Sequence, residues 1–252
     1  MNVGFTVHRY GEFIMLMLGE SIFSLLIVFL PEQDLRFYVA FLGGILSVTL
    51  LQYLHFRSQP HDAESHAMRR SKNAGVLWAL FMQAYAFSLV TLGATFTIFL
   101  TFFLMSSPDR RLAGASFLDP NQHLSRAGHL FSASLTTVFV CLDAMNILHI
   151  GVQESSARCH CSAGKGKNVK GILIVAAKGV LTITTATLSQ WLHQPEEFAC
   201  AGVVCVMMQL LLRRLGVSYL RRSRSNEIQV NHWPNTTEAR AFGSDDAIPH
   251  DQ

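Results

Sequence analysis

Charge is what this sequence of 252 residues has little of, since Asp, Glu, Lys and Arg together make up 15% of it. An average soluble domain carries about 25% charged residues. The hydrophobic fraction of 50% is ordinary, but apolar blocks of about 20 residues alternate with short charged blocks, an arrangement that a lipid bilayer requires and a soluble core does not. The composition also excludes collagen, a coiled coil and a disordered chain.

Motifs of common catalytic sites are also missing from the sequence. It has no Walker loop, dinucleotide-binding fingerprint, HExxH or GxSxG. Cys159, His160 and Cys161 come nearest to a metal site, but ligands two residues apart are poorly spaced for a closed tetrahedral centre. We therefore predict no enzyme, no cofactor and no bound metal. No nucleic-acid partner is predicted either, because the basic residues lie in the short segments between apolar blocks.

Six apolar segments predict an all-α fold, a polytopic transmembrane helix bundle. A helix needs about 20 residues to cross roughly 30 Å of hydrocarbon, and the sixth segment reaches that length only if Arg213 and Arg214 extend to the interface. The segments are continuous, whereas strands of a barrel would alternate. The predicted spans are 11–30, which may be extended by a turn or two at its start, 35–56, 74–105, 127–150, 171–193 and 198–215.

The segment 74–105 is the ambiguous one, because it is either one tilted helix or one span plus a re-entrant or interfacial segment. The positive charges argue against two crossings. With six spans, most Lys and Arg residues fall on the side of both termini, which the positive-inside rule makes cytosolic. That side holds Arg9, Arg57, Arg69, Arg70, Lys72, Arg158, Lys165, Lys167, Lys170, Arg213, Arg214, Arg221, Arg222, Arg224 and Arg240, and the other side Arg36, Arg110, Arg111 and Arg126.

The chain divides, on this interpretation, into a bundle over residues 1–222 and a polar, disordered cytosolic tail over residues 223–252. The bilayer itself is the first predicted partner. The basic segment 213–224 has two interpretations: it is a topogenic signal, or it also binds anionic lipid headgroups. The sequence does not indicate which membrane holds the protein.

Three ionisable residues interrupt the predicted spans, namely Glu20, Asp143 and Lys178. Charges at membrane depth are costly, so they are candidates for function. Counted from the predicted cytosolic ends, all three lie about 10–14 Å deep. Asp143 and Lys178 stand on consecutive antiparallel spans and are predicted to pair, and Glu20 joins them if the first span packs nearby. The alternative is a structural salt bridge that fixes helix register.

Smaller polar features predict helix contacts. Four glutamines within the spans can hydrogen-bond between helices, and two groups of small residues allow close helix approach. The glutamines are Gln52, Gln83, Gln190 and Gln209, and the small residues are Gly43, Gly44 and Ser47 in one group and Ala176 and Gly179 in the other.

The string HRYGEFIMLMLGESI in the first span resembles the motif of the bacterial low temperature requirement A (LtrA) family of multi-pass membrane proteins. The matching residues are Arg9, Gly11, Phe13, Leu18, Gly19, Glu20 and Ser21, followed after the second span by Tyr53, Phe56, Pro60, His66, Ala67, Arg69 and Arg70. The resemblance implies an integral membrane protein without a well-established activity. Family members tend to have further spans before this motif, which implies that additional transmembrane helices or a second copy cover part of the bundle.

Three functions remain open from the sequence. The first is a carrier or channel subunit for a small solute, a proton or another ion, with Glu20 or Asp143 as the titrating group and Lys178 as the counter-charge. The second is a non-catalytic membrane protein that assembles with other helices in a stress or envelope role. The third is an intramembrane enzyme, for which no convincing nucleophile or metal set is found.

Overall fold

The structure is a computed structural model and describes residues 3–27, 35–58, 67–106, 120–150 and 168–231. All regular structure in those ranges is helical, with no strand. The seven helices are α1 (Val3–Ile27), α2 (Leu35–Ser58), α3 (Ala67–Arg70), α4 (Lys72–Ser106), α5 (Pro120–Ile150), α6 (Asn168–Trp191) and α7 (Pro195–Asn231).

Six of these helices contain segments that are long and apolar enough to span a membrane, as the sequence predicted. The segments are Gly4–Ile27, Leu35–Ser58, Lys72–Phe103, Leu124–His149, Leu173–Trp191 and Pro195–Gly216. Among these segments, the largest shift from the predicted bounds is at the start of the first, which begins at Gly4 rather than at Gly11, in keeping with the alternative of an earlier start. The residues before Gly11 are compatible with a helix. The first apolar block of the sequence covers only the most hydrophobic part of α1.

The ambiguous third segment is one continuous helix, because α4 runs without a break for 35 residues. At 1.5 Å per residue it is about 52 Å long, more than the hydrocarbon thickness, so it tilts or projects beyond the hydrocarbon. The alternative of a span followed by a re-entrant segment is therefore wrong. The helix begins after Ser71, whose Oγ accepts a hydrogen bond from the Ala74 N–H at 3.1 Å, an N-cap that satisfies one of the free donors of the first turn.

The turn between α6 and α7 is short because residues on both sides of Pro195 suit a helix start. Pro195 occupies the first position of α7, where its missing N–H costs nothing. Glu197 accepts hydrogen bonds from the N–H groups of His193 and Gln194, at 3.1 and 3.2 Å. Glu196 pairs with Arg36 at 3.7 Å and so connects the beginnings of α2 and α7.

A cluster of aromatic rings lies between α4, α5 and α7. The Phe99 and Phe198 rings stack with centroids 5.1 Å apart, and Phe131 meets Phe198 edge-on at 5.6 Å and Phe96 at 5.5 Å. All four rings are buried. Gly128 of α5 makes room for this cluster, since a Cβ there would lie 2.7 Å from the tip of the Phe198 ring. The cluster therefore fixes how closely α5 and α7 approach.

Glycines also allow close contact elsewhere in the bundle. A Cβ on Gly43 would lie 3.0 Å from the Cβ of Ala199, and one on Gly44 would lie 3.3 Å from side-chain carbons of Leu25 and Phe96. The predicted close approach at Gly43 and Gly44 is thus confirmed. The same prediction for Gly179 is wrong, because nothing lies within 4 Å of a Cβ built there.

Large apolar side chains cover the outside of the described helices. Leu46 of α2, Phe87 of α4, Ile183 of α6 and Val204 of α7 are among those left exposed. Water would penalise such a surface, whereas lipid tails solvate it, because they are as apolar as the side chains. Together with the six spans, this surface identifies a multi-pass integral membrane protein that resides in a lipid bilayer.

The chain divides into two units, Met1–Leu212 and Arg213–Gln252. The helical bundle belongs to the first unit. Helix α7 continues to Asn231, past residue 223, where the disordered tail was predicted to begin, and residues 232–252 lie outside the described ranges. Arg213 is buried, whereas Arg214 is exposed.

Candidate functional site

Asp143 and Lys178 form an ion pair where α5 and α6 meet. The Lys178 Nζ lies 2.7 Å from Asp143 Oδ1, and the two side chains are 19% and 23% exposed, in that order. Gln209 of α7 donates a hydrogen bond from Nε2 to the other carboxylate oxygen, Oδ2, at 3.0 Å. Three helices thus converge on one carboxylate, and hydrogen bonds to a charged group are among the stronger ones that proteins form.

Two further polar contacts follow along the same helix pair. The Thr136 hydroxyl hydrogen-bonds the Thr185 hydroxyl at 3.2 Å, and Ser132 Oγ accepts a hydrogen bond from the Ser189 N–H at 3.0 Å. From Asp143 to Thr136 and on to Ser132, α5 steps back by seven and then four residues. From Lys178 to Thr185 and on to Ser189, α6 steps forward by the same amounts. These equal steps are the register of one antiparallel interface.

We call these six residues and Gln209 the polar seam. Its two steps cover eleven residues of α5, or about 16 Å, which is roughly half the hydrocarbon thickness. Its charged end lies seven residues before the end of α5 and ten residues after the beginning of α6, towards the side that the positive charges predict to be cytosolic. Its other end, at Ser132 and Ser189, lies towards the opposite end of α6, which ends at Trp191. The carboxylate at its charged end can bind a cation or a proton, and the polar contacts can also simply hold the helices together.

Glu20 does not belong to this cluster, so that part of the sequence prediction is wrong. Helix α1 packs against α4 and α2, whereas the seam belongs to α5, α6 and α7. Because α1 begins at Val3, Glu20 lies in its second half, and the similar depth predicted for the three charges does not hold. The Glu20 side chain is exposed and makes no ion pair with any residue in the described ranges. Asp143 and Lys178, in contrast, pair as predicted.

The residues that carry the family resemblance fall into two groups. Leu18 and Ser21 face the bundle, and Ser21 Oγ lies 3.2 Å from the Leu89 carbonyl of α4. The others within α1 lie away from the buried face: Arg9 pairs with Glu12 at 3.0 Å, Phe13, Gly19 and Glu20 are exposed, and Gly11 has nothing within 4 Å of an added Cβ. Arg69 and Arg70 belong to α3, and His66 lies outside the described residues.

A second polar group, which the sequence did not predict, lies near the predicted cytosolic ends of the helices. The buried His55 ring of α2 stacks on the buried Tyr85 ring of α4, with centroids 5.0 Å apart. His149 of α5 accepts a hydrogen bond at Nδ1 from the Ala67 N–H at 3.3 Å. The Trp78 ring lies 6.3 Å from His149. The hydrogen bond to His149 holds the short helix α3 against α5, while the ring contacts join α2 to α4 and α4 to α5, and we regard the group as structural.

The hydroxyls of the seam could have been found in the sequence. Thr136 and Ser132 precede Asp143 by seven and four more residues, a helical spacing, and α6 repeats that spacing from Lys178. Gln209 was only one of four glutamines, and nothing in the sequence distinguished it. Gln52 makes a different contact, donating to the Met15 sulfur at 3.2 Å, and Gln83 and Gln190 are exposed.

The residues described by the structure contain no group of three or more His, Cys, Asp or Glu side chains that could hold a metal ion. Cys159, His160 and Cys161 lie outside those residues. In the comparisons with known proteins, no family model, curated protein or solved structure matches the chain. The resemblance to the LtrA family therefore remains a prediction from the motif alone.

Proposed function

We propose that this LtrA-like membrane protein carries a small solute, a proton or another ion through its bundle, and that the polar seam is the site. The observation that carries the proposal is the Asp143–Lys178 ion pair of 2.7 Å, which lies between two candidate membrane-spanning helices and is only partly buried by them. A charge at the centre of a membrane helix costs about 2.5–3.5 kcal/mol on insertion scales. A pair that served only packing would be replaceable by apolar residues at little cost.

The seam supports transport of small cargo better than of large cargo. Its groups are small (hydroxyls, one carboxylate, one amide and one ammonium) and are held at hydrogen-bond distances between adjacent helices. The side chains of Asp143 and Lys178 keep about a fifth of their surface outside the packed helices, which leaves room for a small ion beside them. Asp143 is the group that can exchange a proton or cation, and Lys178 is its counter-charge.

Purified protein reconstituted in liposomes with an internal pH-sensitive dye tests this function. We expect Asp143→Asn to lower solute- or ion-coupled proton flux at least tenfold, because the amide cannot exchange a proton at this position. Glu12→Gln is the matched control, since Glu12 is an exposed carboxylate in α1 that pairs with Arg9. Equal flux in wild type and Asp143→Asn, with both inserted to the same extent, would contradict the proposal.

A second function, assembly with further transmembrane helices or a second copy, is favoured by Glu20 and its surroundings. Glu20 exposes a carboxylate in the second half of a membrane span, and at the adjacent Gly19 an added Cβ would meet nothing within 4 Å. Helices α1 and α6 bury the smallest shares of their apolar windows, 22% and 11%. A neighbouring helix with a hydrogen-bond donor at this depth would lower the cost of the carboxylate.

Subunit counting in lipid nanodiscs by single-molecule photobleaching tests this second function for the second-copy case. We expect the wild-type chain to form oligomers and Glu20→Leu to shift the population at least fivefold towards monomer, because the acceptor for the neighbour's donor is lost. Leu16→Ala, on the same exposed side of α1, controls for general changes at the lipid-facing surface. A wild-type chain that is monomeric at all protein-to-lipid ratios would exclude a second copy as the partner.

A further inference from the structure

We propose that Asp143 and Gln209 form a binding site for a small monovalent metal cation such as Na⁺, and that the Lys178 ammonium occupies this site when the cation is not bound. The inference rests on the proposed carrier function and names its cargo. It starts from the three groups around one carboxylate: Asp143 accepts a hydrogen bond at each oxygen, one from Lys178 at 2.7 Å and one from Gln209 at 3.0 Å.

Gln209 supplies the independent observation. Its side chain is 1% exposed, and its carbonyl oxygen Oε1 is a buried acceptor with no hydrogen-bond partner among the described residues. Leaving such an atom without a partner costs free energy, so an unpaired one calls for an explanation. An amide can rotate by half a turn and exchange its oxygen and nitrogen, because the two ends have nearly the same shape. Rotation would place Oε1 beside the Asp143 carboxylate.

After that rotation, the site offers oxygen ligands of two kinds, a carboxylate and an amide carbonyl. Hard cations prefer such ligands, and carbonyl oxygens inside membrane proteins are used to coordinate Na⁺. In the structure, the Gln209 amide points its Nε2 donor at Asp143. This orientation suits the state with Lys178 bound, in which both carboxylate oxygens accept hydrogen bonds. The rotated orientation suits a bound cation, which needs acceptors.

The charges at the site select a monovalent ion that replaces Lys178. Asp143 and Lys178 are together neutral, and a cation added to both would leave an excess positive charge at membrane depth, which is costly. If the Lys178 ammonium moves away as the cation binds, the carboxylate still has one positive partner. A divalent ion would leave the carboxylate overcompensated. The long, flexible Lys178 side chain, 19% exposed, can make this movement.

Direct binding of ²²Na⁺ to the purified protein, measured by scintillation proximity in N-methylglucamine chloride at constant ionic strength, tests the inference. We expect saturable binding to the wild type and at least tenfold lower affinity in Gln209→Leu. Asp143→Asn should show no saturable binding. Lys178→Met removes the internal competitor and should raise the affinity at least tenfold, a change that a merely structural pair would not produce.

The controls separate loss of the site from loss of the fold. The double variant Asp143→Asn/Lys178→Met carries no unpaired charge, so it should fold and bind no ²²Na⁺; if Lys178→Met alone fails to fold, Lys178→Gln takes its place. Equal affinity in the wild type and in the Lys178 variant, or saturable binding to Asp143→Asn, would overturn the cation site. Proton flux without ²²Na⁺ binding would overturn this inference and leave the carrier function standing. Saturable ²²Na⁺ binding without any flux would overturn the carrier function and leave the cation site standing.

Discussion

Lys178→Met is expected to lower the free energy of unfolding by about 2–3 kcal/mol in mixed micelles, as measured by SDS titration. Removal of one partner of a fully buried pair costs about 3–5 kcal/mol, because the other charge stays buried and uncompensated. The value expected here is smaller because the Asp143 side chain is 23% exposed and keeps its hydrogen bond from Gln209. The retained hydrogen bond from Gln209 stabilises the remaining charge.

The double variant Asp143→Asn/Lys178→Met should recover most of that loss and come within about 1 kcal/mol of the wild type, because the neutral pair leaves no charge to desolvate. The three variants and the wild type form a double-mutant cycle, in which we expect a coupling of about 2 kcal/mol. Effects that simply add in the double variant would show that the two side chains do not depend on each other, and the 2.7 Å contact would then carry little energy.

Gly93→Leu is expected to destabilise the protein by about 2–3 kcal/mol through the contact between α1 and α4. A Cβ at Gly93 would lie 2.9 Å from Ser21 Cβ and 3.0 Å from Ser21 Cα, too close for any real side chain. Helix α1 would have to move away, and the contact of Ser21 Oγ with the Leu89 carbonyl, 3.2 Å, would be lost. The same SDS titration measures the change.

Gly19→Leu makes the same substitution on α1 where nothing lies within 4 Å of the new Cβ. It should change the unfolding free energy of the monomer by less than about 0.5 kcal/mol, as substitutions away from packed contacts usually do. If both leucines destabilise equally, the cost comes from placing a larger residue in a membrane helix and not from the contact of α4 with Ser21. The position of α1 in the bundle would then need another explanation.

The sequence predicted the lengths of the helices more accurately than the contacts between them. The six spans follow from apolar length, whereas the start of α7 at Pro195 lies in the segment that the sequence left between two spans. The pairing of Asp143 with Lys178 was also predicted, because two consecutive antiparallel spans must pack closely and opposite charges at similar depth attract. The depth of Glu20 was misjudged because hydropathy marks the most apolar part of a helix, whereas α1 begins eight residues earlier.

Amino-acid order alone therefore determined that this chain is an all-helical protein of six membrane spans, since the length of an apolar segment and the thickness of a bilayer are one-dimensional quantities. Only the tertiary structure decided that Glu20 faces outwards, that Gln209 reaches Asp143, and that the hydroxyls of α5 and α6 form one line. The physical reason is that lipid and the bundle interior are both apolar. A helix surrounded by both lacks the contrast between faces that marks the buried side of a soluble helix, so its rotation depends on packing with its neighbours.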